Sequence, residues 1–121
     1  MASTRDRGGH WEGVAESILN KRGLVTLERN YTARGGEIDL VMRDGPVLVF
    51  AEVRFRSNRG FGSGADSVTM IKQKRLILAA QWYLHCHPSE QNRACRFDVI
   101  SIGSEDGRTL FNWIRNAFES S

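Results

Sequence analysis

From His10 to Arg22 the apolar residues Trp11, Val14, Ala15, Ile18 and Leu19 recur at 3.6-residue spacing, which predicts an amphipathic helix. Gly23 stands where a helix stop belongs. Leu24–Glu28 alternates and predicts a short strand, with Asn30–Gly36 as a connection. Glu37–Arg43 predicts a second strand and Asp44-Gly45 a turn pair. Val47–Phe55 predicts a third strand, rich in β-branched and aromatic residues. Arg56–Ala65 carries Gly60, Gly62 and Gly64 and reads as a mobile loop. Ser67–His85 predicts a long helix capped by Ser67 or Thr69, apolar on most sides and ended by Pro88. Arg96–Ile102 predicts a strand, Ser104–Gly107 a turn, and Leu110–Phe118 a strand turning into a helical tail. Residues 1–9, polar, basic and glycine-bearing, are expected to form a flexible arm. The order of the remaining elements, without repeat or linker, implies a single α/β domain over 10–121 with a mixed sheet.

Composition narrows the class. The chain has 121 residues, 40% of them apolar and 26% charged, the balance of a globular domain. No apolar run approaches ~18 residues, so no membrane-spanning helix is expected. The opening MASTRDRGGHWEG lacks the apolar core of a secretory signal, and a cytoplasmic location is expected. Cys86 and Cys95 are too few for a disulfide scaffold and suit a reducing compartment. A net charge of +3 permits a polyanionic partner without demanding one.

The predicted hairpin carries the sharpest chemical signal. With Asp44-Gly45 as its loop, Asp39 faces Phe50 and Glu37 faces Glu52. Cross-strand partners share a face, as do residues two apart, so Glu37, Asp39, Glu52 and Arg54 project together. A four-residue loop keeps this parity, and a three-residue loop breaks it. Ile38, Leu40, Val53 and Phe55 point to the other face. Carboxylates directly opposed on a strand pair repel, and a hard divalent cation is one reason to place them there. The alternative is a surface charge network in which Arg54 and its neighbours neutralise them. On the first helix Glu12 borders the apolar stripe and Glu16 lies further toward solvent. Glu12 reaches the sheet if the helix packs across it; otherwise it is a solvated acid favoured by the helix dipole. Arg54, Arg56 and Arg59 leave the third strand, and Lys72, Lys74 and Arg75 occupy the early turns of the second helix. These two groups suit a phosphate backbone on either side of a metal site, or are ordinary solvated charge.

Other patterns carry less. The glycines at 60, 62 and 64 lack the rest of a dinucleotide fingerprint and have no Walker lysine. His85, Cys86, His87 and Cys95 match no standard zinc spacing, and a histidine at a helix end serves to cap carbonyls. No serine sits in a nucleophile elbow. Asp98 reads as a structural partner for an arginine.

A wider set of residues resembles a known family. It comprises Gly8-x-x-x-Glu12-x-x-Ala15, Asn30, Gly36-Glu37-Ile38-Asp39-Leu40, Val49-Phe50-Ala51-Glu52-Val53-Arg54-Phe55-Arg56, Ser67-Val68 with Lys72, Arg96-Phe97-Asp98-Val99 and Asn116-Ala117-Phe118. In this order and spacing it resembles the bacterial YraN family, from Gly8 to Phe118. That family is similar to archaeal Holliday junction resolvases and to PD-(D/E)xK nucleases. The resemblance implies a restriction-endonuclease-like α/β fold, with a mixed sheet of four or five strands and helices on its faces. It implies Asp39 and Glu52 as ligands for Mg²⁺ or Mn²⁺, joined by a backbone carbonyl near Val53, with Glu12 as the helical glutamate. Lys72 matches a family position in the following helix. Arg54 stands where nucleases usually carry a lysine that positions or polarises the attacking water. A guanidinium keeps the charge and stabilises phosphorane oxygens, yet cannot act as a base. The implied activity is a divalent-metal-dependent DNA endonuclease acting on branched or damaged DNA. Arg56, Arg59, Lys72 and Arg75 would hold the backbone, and a homodimer would cut two strands symmetrically. The alternatives are a non-catalytic nucleic-acid-binding module that retains the fold, and a protein-interaction domain with an inert charge network.

Overall fold

The computed structural model describes residues 4–56 and 68–119. Helix α1 (Thr4–Lys21) is followed by strands β1 (Val25–Ala33), β2 (Gly36–Asp44) and β3 (Val47–Phe55). Then come helix α2 (Met70–Cys86), a 3₁₀ turn at Pro88–Glu90, and strands β4 (Cys95–Glu105) and β5 (Arg108–Phe118). The sheet runs β1-β2-β3-β4-β5. Its neighbours are antiparallel except β3 and β4, which are parallel and are joined through α2. Parallel neighbours need such a crossover, because a tight turn can only reverse the chain.

Strand β3 lies at the centre, and Leu48, Val49, Phe50 and Ala51 are all buried. Leu48 and Phe50 pack with Leu76, Ala79, Ala80 and Tyr83 of α2, whereas Val49 and Ala51 pack with Ala15 and Leu19 of α1. A strand covered on both faces reads as an unbroken apolar run, as this one does. This mixed five-stranded sheet with two helices is consistent with the restriction-endonuclease-like fold. Among the described residues no helix is long and apolar enough to cross a membrane.

Several boundaries differ from expectation. Helix α1 starts at Thr4, so it takes in residues assigned to a flexible arm. Adding a turn to an existing helix needs no new nucleus. Strand β1 continues through Asn30 to Ala33, where a connection was expected. Asn30 takes φ 50, and a register shift falls between Thr26 and Glu28. Asparagine tolerates the left-handed region, so the chain bends there without leaving the sheet. Strand β5 reaches Phe118 with no helical tail. Asn116 again takes a positive φ, and its N–H donates to Asp98 Oδ1 at 2.9 Å, tying the strand end to β4. Thr69 rather than Ser67 caps α2, its Oγ1 accepting from Lys72 N at 3.2 Å. Ser67, the glycine-rich loop after Arg56, and Arg59 lie outside the described residues.

The β2–β3 turn is also displaced. Asp44 pairs with Val47, leaving Gly45-Pro46 as the loop in place of Asp44-Gly45. Arg96 Nη2 reaches Asp44 Oδ2 at 2.9 Å and holds it in the ladder. Gly45 has φ 59, and the fixed negative φ of proline follows, the sign sequence of a type II′ hairpin turn.

Candidate functional site

The β2–β3 ladder runs from Asp44 and Val47 to Leu40 and Ala51. At the next step the Asp39 side chain takes over, its Oδ2 accepting from Val53 N at 2.8 Å. A carboxylate thus satisfies a strand N–H where the backbone ladder ends. Strand β3 stays paired with β4 as far as Phe55 and Ile102. Glu52 therefore sits on a strand that is still anchored on one side while the hairpin opens on the other.

The moved turn changes which acids meet. Glu37 was expected opposite Glu52; the observed register brings Asp39 to Glu52 instead. The register differs by an even number of residues, which brings Asp39 in place of Glu37 to Glu52. Burial, the Glu52 charge and a hydrogen bond with Glu52 drive the Asp39 carboxyl up to about 8, and Glu12 adds to the rise. The Val53 N–H pulls the other way without offsetting them. Glu12 on α1 is raised by burial and then by the charges of Glu37 and Glu52. Helix α1 packs on this side of the sheet against β3 and β4, and the charges of Glu37 and Glu52 act on Glu12 from there.

Ile38 departs from the expected alternation. It packs in the α2 cluster with Tyr31, its ladder partner, while Leu40 packs in the α1 cluster. Asn30 with its left-handed φ lies between Tyr31 and Arg29, the partner of Leu40. The hairpin turns over locally at this point.

Glu16 was expected nearer solvent, yet it is buried. It accepts from Thr26 Oγ1 at 2.7 Å and Arg29 Nε at 2.8 Å, and the Arg29 hydrogen bond holds its pKa down. The longer β1 supplies both partners, which a five-residue strand could not. A small cleft of about 240 Å³ beside α1 is lined in part by Glu12, Glu16, Arg29 and Asn30.

The larger cleft, about 450 Å³, opens on the α2 side and includes Glu37, Glu52, Lys72 and Arg75 in its walls. Lys72 Nζ stands 3.4 Å from Glu52 Oε2. A Cβ at Gly36 would lie 2.1 Å from the Arg75 carbonyl oxygen, so glycine there lets α2 close onto the start of β2. Of the expected backbone-holding residues, Lys72 and Arg75 thus come to the acids. Arg56 is half-buried at the end of β3, its N–H donating to Ile102 O at 2.9 Å. Arg54 is half-buried two residues beyond Glu52 and in register with Ser101.

Asp98 is 1% exposed and serves as a structural hub. It accepts from Arg96 Nε at 3.0 Å, Trp113 Nε1 at 2.9 Å and Asn116 N. His87 Nδ1 lies 2.7 Å from Tyr83 O, capping the end of α2 as expected. Among the described residues no three His, Cys, Asp or Glu side chains converge as a ready-made metal cage. The Asp39–Glu52 pair nonetheless fits a hard divalent ion. Mg²⁺ characteristically takes one or two carboxylates and completes its shell with water and substrate phosphate. A half-buried carboxyl raised by a like-charged neighbour is a group that a cation would discharge.

The profile of the uncharacterised protein family UPF0102 matches residues 11–102. The chain is 50% identical over 117 residues to a UPF0102 protein of Nitrosococcus oceani, covering 97% of this chain and 94% of that one. It is 47% identical to one from Xanthomonas campestris pv. campestris, with the same coverage. It is 48% identical to one from Aeromonas hydrophila subsp. hydrophila, covering 96% of this chain and 87% of the relative.

Proposed function

Since the chain belongs to UPF0102, the YraN family, we propose that it is a cytoplasmic, divalent-metal-dependent DNA endonuclease acting on branched or damaged DNA. The observation that carries this reading is the meeting of Asp39 and Glu52 where the β2–β3 ladder ends, with Glu12 close enough to raise the Asp39 carboxyl further. Asp39 and Glu52 would hold Mg²⁺ or Mn²⁺, which when bound supplies an acidified water and charge for the scissile phosphate. Glu12 orients the attacking water. Arg54 offers its guanidinium to a phosphate oxygen. Arg56, Arg59, Lys72 and Arg75 hold the backbone, as counterion-releasing phosphate contacts do. A homodimer would present two such sites to a branched duplex.

Thermal unfolding with and without Mn²⁺, on wild type and Asp39→Asn, tests the reading. A rise in midpoint confined to wild type supports the metal site. Cleavage of branched and flapped DNA that Asp39→Asn abolishes, while still binding DNA, supports the nuclease. A second reading is a nucleic-acid-binding module that keeps the fold without cleaving. Arg54 favours it, because a guanidinium does not give up its proton. Shape-dependent DNA binding with no cleavage at any metal concentration would select it.

A further inference from the structure

In the proposed function Lys72 belongs to the backbone grip. Its surroundings narrow that role to one phosphate. Helix α2 is fixed at two points that bracket this residue. Thr69 Oγ1 accepts from Lys72 N at 3.2 Å and sets where the helix begins. One turn on, the Arg75 carbonyl oxygen occupies the space that a Cβ at Gly36 would need. Between these anchors the Lys72 side chain enters the cleft it shares with Glu37 and Glu52.

Lys72 Nζ lies 3.4 Å from Glu52 Oε2, longer than the ~2.7–2.9 Å of a tight charge-assisted bond. Its side chain is 54% exposed, so it is not held by burial. An ammonium has three rotatable donors, and one contact with Glu52 leaves others for a second oxygen. Glu37 and Glu52 both repel an anion entering this cleft, so a phosphate needs a cation placed between it and the acids. Lys72 is in that position.

We infer that Lys72 spans Glu52 and a non-bridging oxygen of the scissile phosphate, and is a catalytic residue of this site. The inference rests on the nuclease reading. As water oxygen bonds to phosphorus and the P–O bond to the leaving strand breaks, negative charge grows on that non-bridging oxygen. The ammonium stabilises it through a directed hydrogen bond and keeps its own protons. The proton lost by the water passes to solvent, and the leaving oxygen takes one from solvent.

The test compares wild type, Lys72→Met and Lys72→Arg in single-turnover cleavage of flapped DNA with Mn²⁺, alongside DNA affinity and Mn²⁺-dependent melting. Lys72→Met is expected to lose about 100-fold in rate at saturating enzyme, as removal of one transition-state donor does. Its DNA affinity should stay within about twofold and its Mn²⁺-induced shift should persist, since a transition-state contact adds little to ground-state binding. Lys72→Arg, which keeps the charge on a longer planar group, should recover part of the rate. A variant with full rate at saturation but weaker binding and a salt slope reduced by about 1 would make Lys72 a grip residue and overturn the inference. An unchanged Lys72→Met would overturn it too. In both cases the active wild type would leave the nuclease reading standing. A wild type inert on every DNA tested would remove both.

Discussion

The Asp39 carboxylate accepts the Val53 N–H at 2.8 Å, one step beyond the last backbone pair of the β2–β3 hairpin. This bond joins the fold to the chemistry. It satisfies a strand amide, and it holds a half-buried carboxylate beside Glu52, whose charge raises it.

Asp39→Asn should stabilise the metal-free protein at alkaline pH. An amide oxygen can still accept from Val53, while the repulsion with Glu52 disappears. Wild-type Asp39 binds its proton in the folded state up to about 8, against an ordinary value of 3.8. Between these values the folded state holds more protons than the unfolded one, so its stability falls as pH rises. The gain from Asp39→Asn should be largest at pH 8 and fade toward pH 4, as melting without metal would read. A variant less stable than wild type at pH 8 would mean the charged carboxylate is already compensated.

Mn²⁺ binding to wild type should release a proton below pH 8. Affinity should then rise by up to about tenfold per pH unit from pH 6 and level off above 8. Titration calorimetry in two buffers of different ionisation enthalpy measures this release. A pH-independent affinity would contradict a protonated Asp39.

Gly36→Ala should loosen α2 from β2. The added Cβ would meet backbone, which cannot swing aside as a side-chain tip can. A cost of about 1–3 kcal/mol is expected, seen as a lower urea midpoint at unchanged slope.

Asp98→Ala should be the more damaging change. It strips partners from Arg96, the Trp113 indole and the Asn116 N–H. Removing one member of a buried charged network costs about 3–5 kcal/mol, measurable by denaturant unfolding. The Mn²⁺ shift of the remaining folded fraction should persist, because Asp98 bonds to none of the site acids.

Glu16→Gln should cost stability at neutral and higher pH and lose its effect in acid. Its carboxyl is lowered by the Arg29 hydrogen bond, so the stabilisation is full above its ordinary 4.5 and fades on acidification. With the Arg29 side chain 64% exposed to screening solvent, only a small loss is expected. A double-mutant cycle with Arg29→Met isolates the pair.

Strand β3 was legible, because burial of Leu48–Ala51 on both faces leaves an apolar run straight after the turn signal, and Val53 and Phe55 continue it. The acid face was legible in part: an even change of register still brings Asp39 to Glu52, but Ile38, expected on the other face, packs with α2 where the alternation breaks. Strand β1 was not. Asn30 and the polar residues around it look like a connection, and only pairing with β2 makes them a strand. Glu16 followed the same error, since its partners Thr26 and Arg29 come into place through that strand.

The sequence by itself determined the order of elements, the two-sided core and the hairpin that carries the acids. These depend on the spacing of neighbours along the chain. The tertiary structure decided that Asp39 rather than Glu37 meets Glu52. That outcome depends on where the hairpin turns, and Arg96, far along the chain, holds Asp44 in the ladder. It also decided that Lys72 reaches Glu52, because α2 closes on the bare backbone of Gly36. Local patterns are blind to such pairings, since each is set by contacts between segments that only folding brings together.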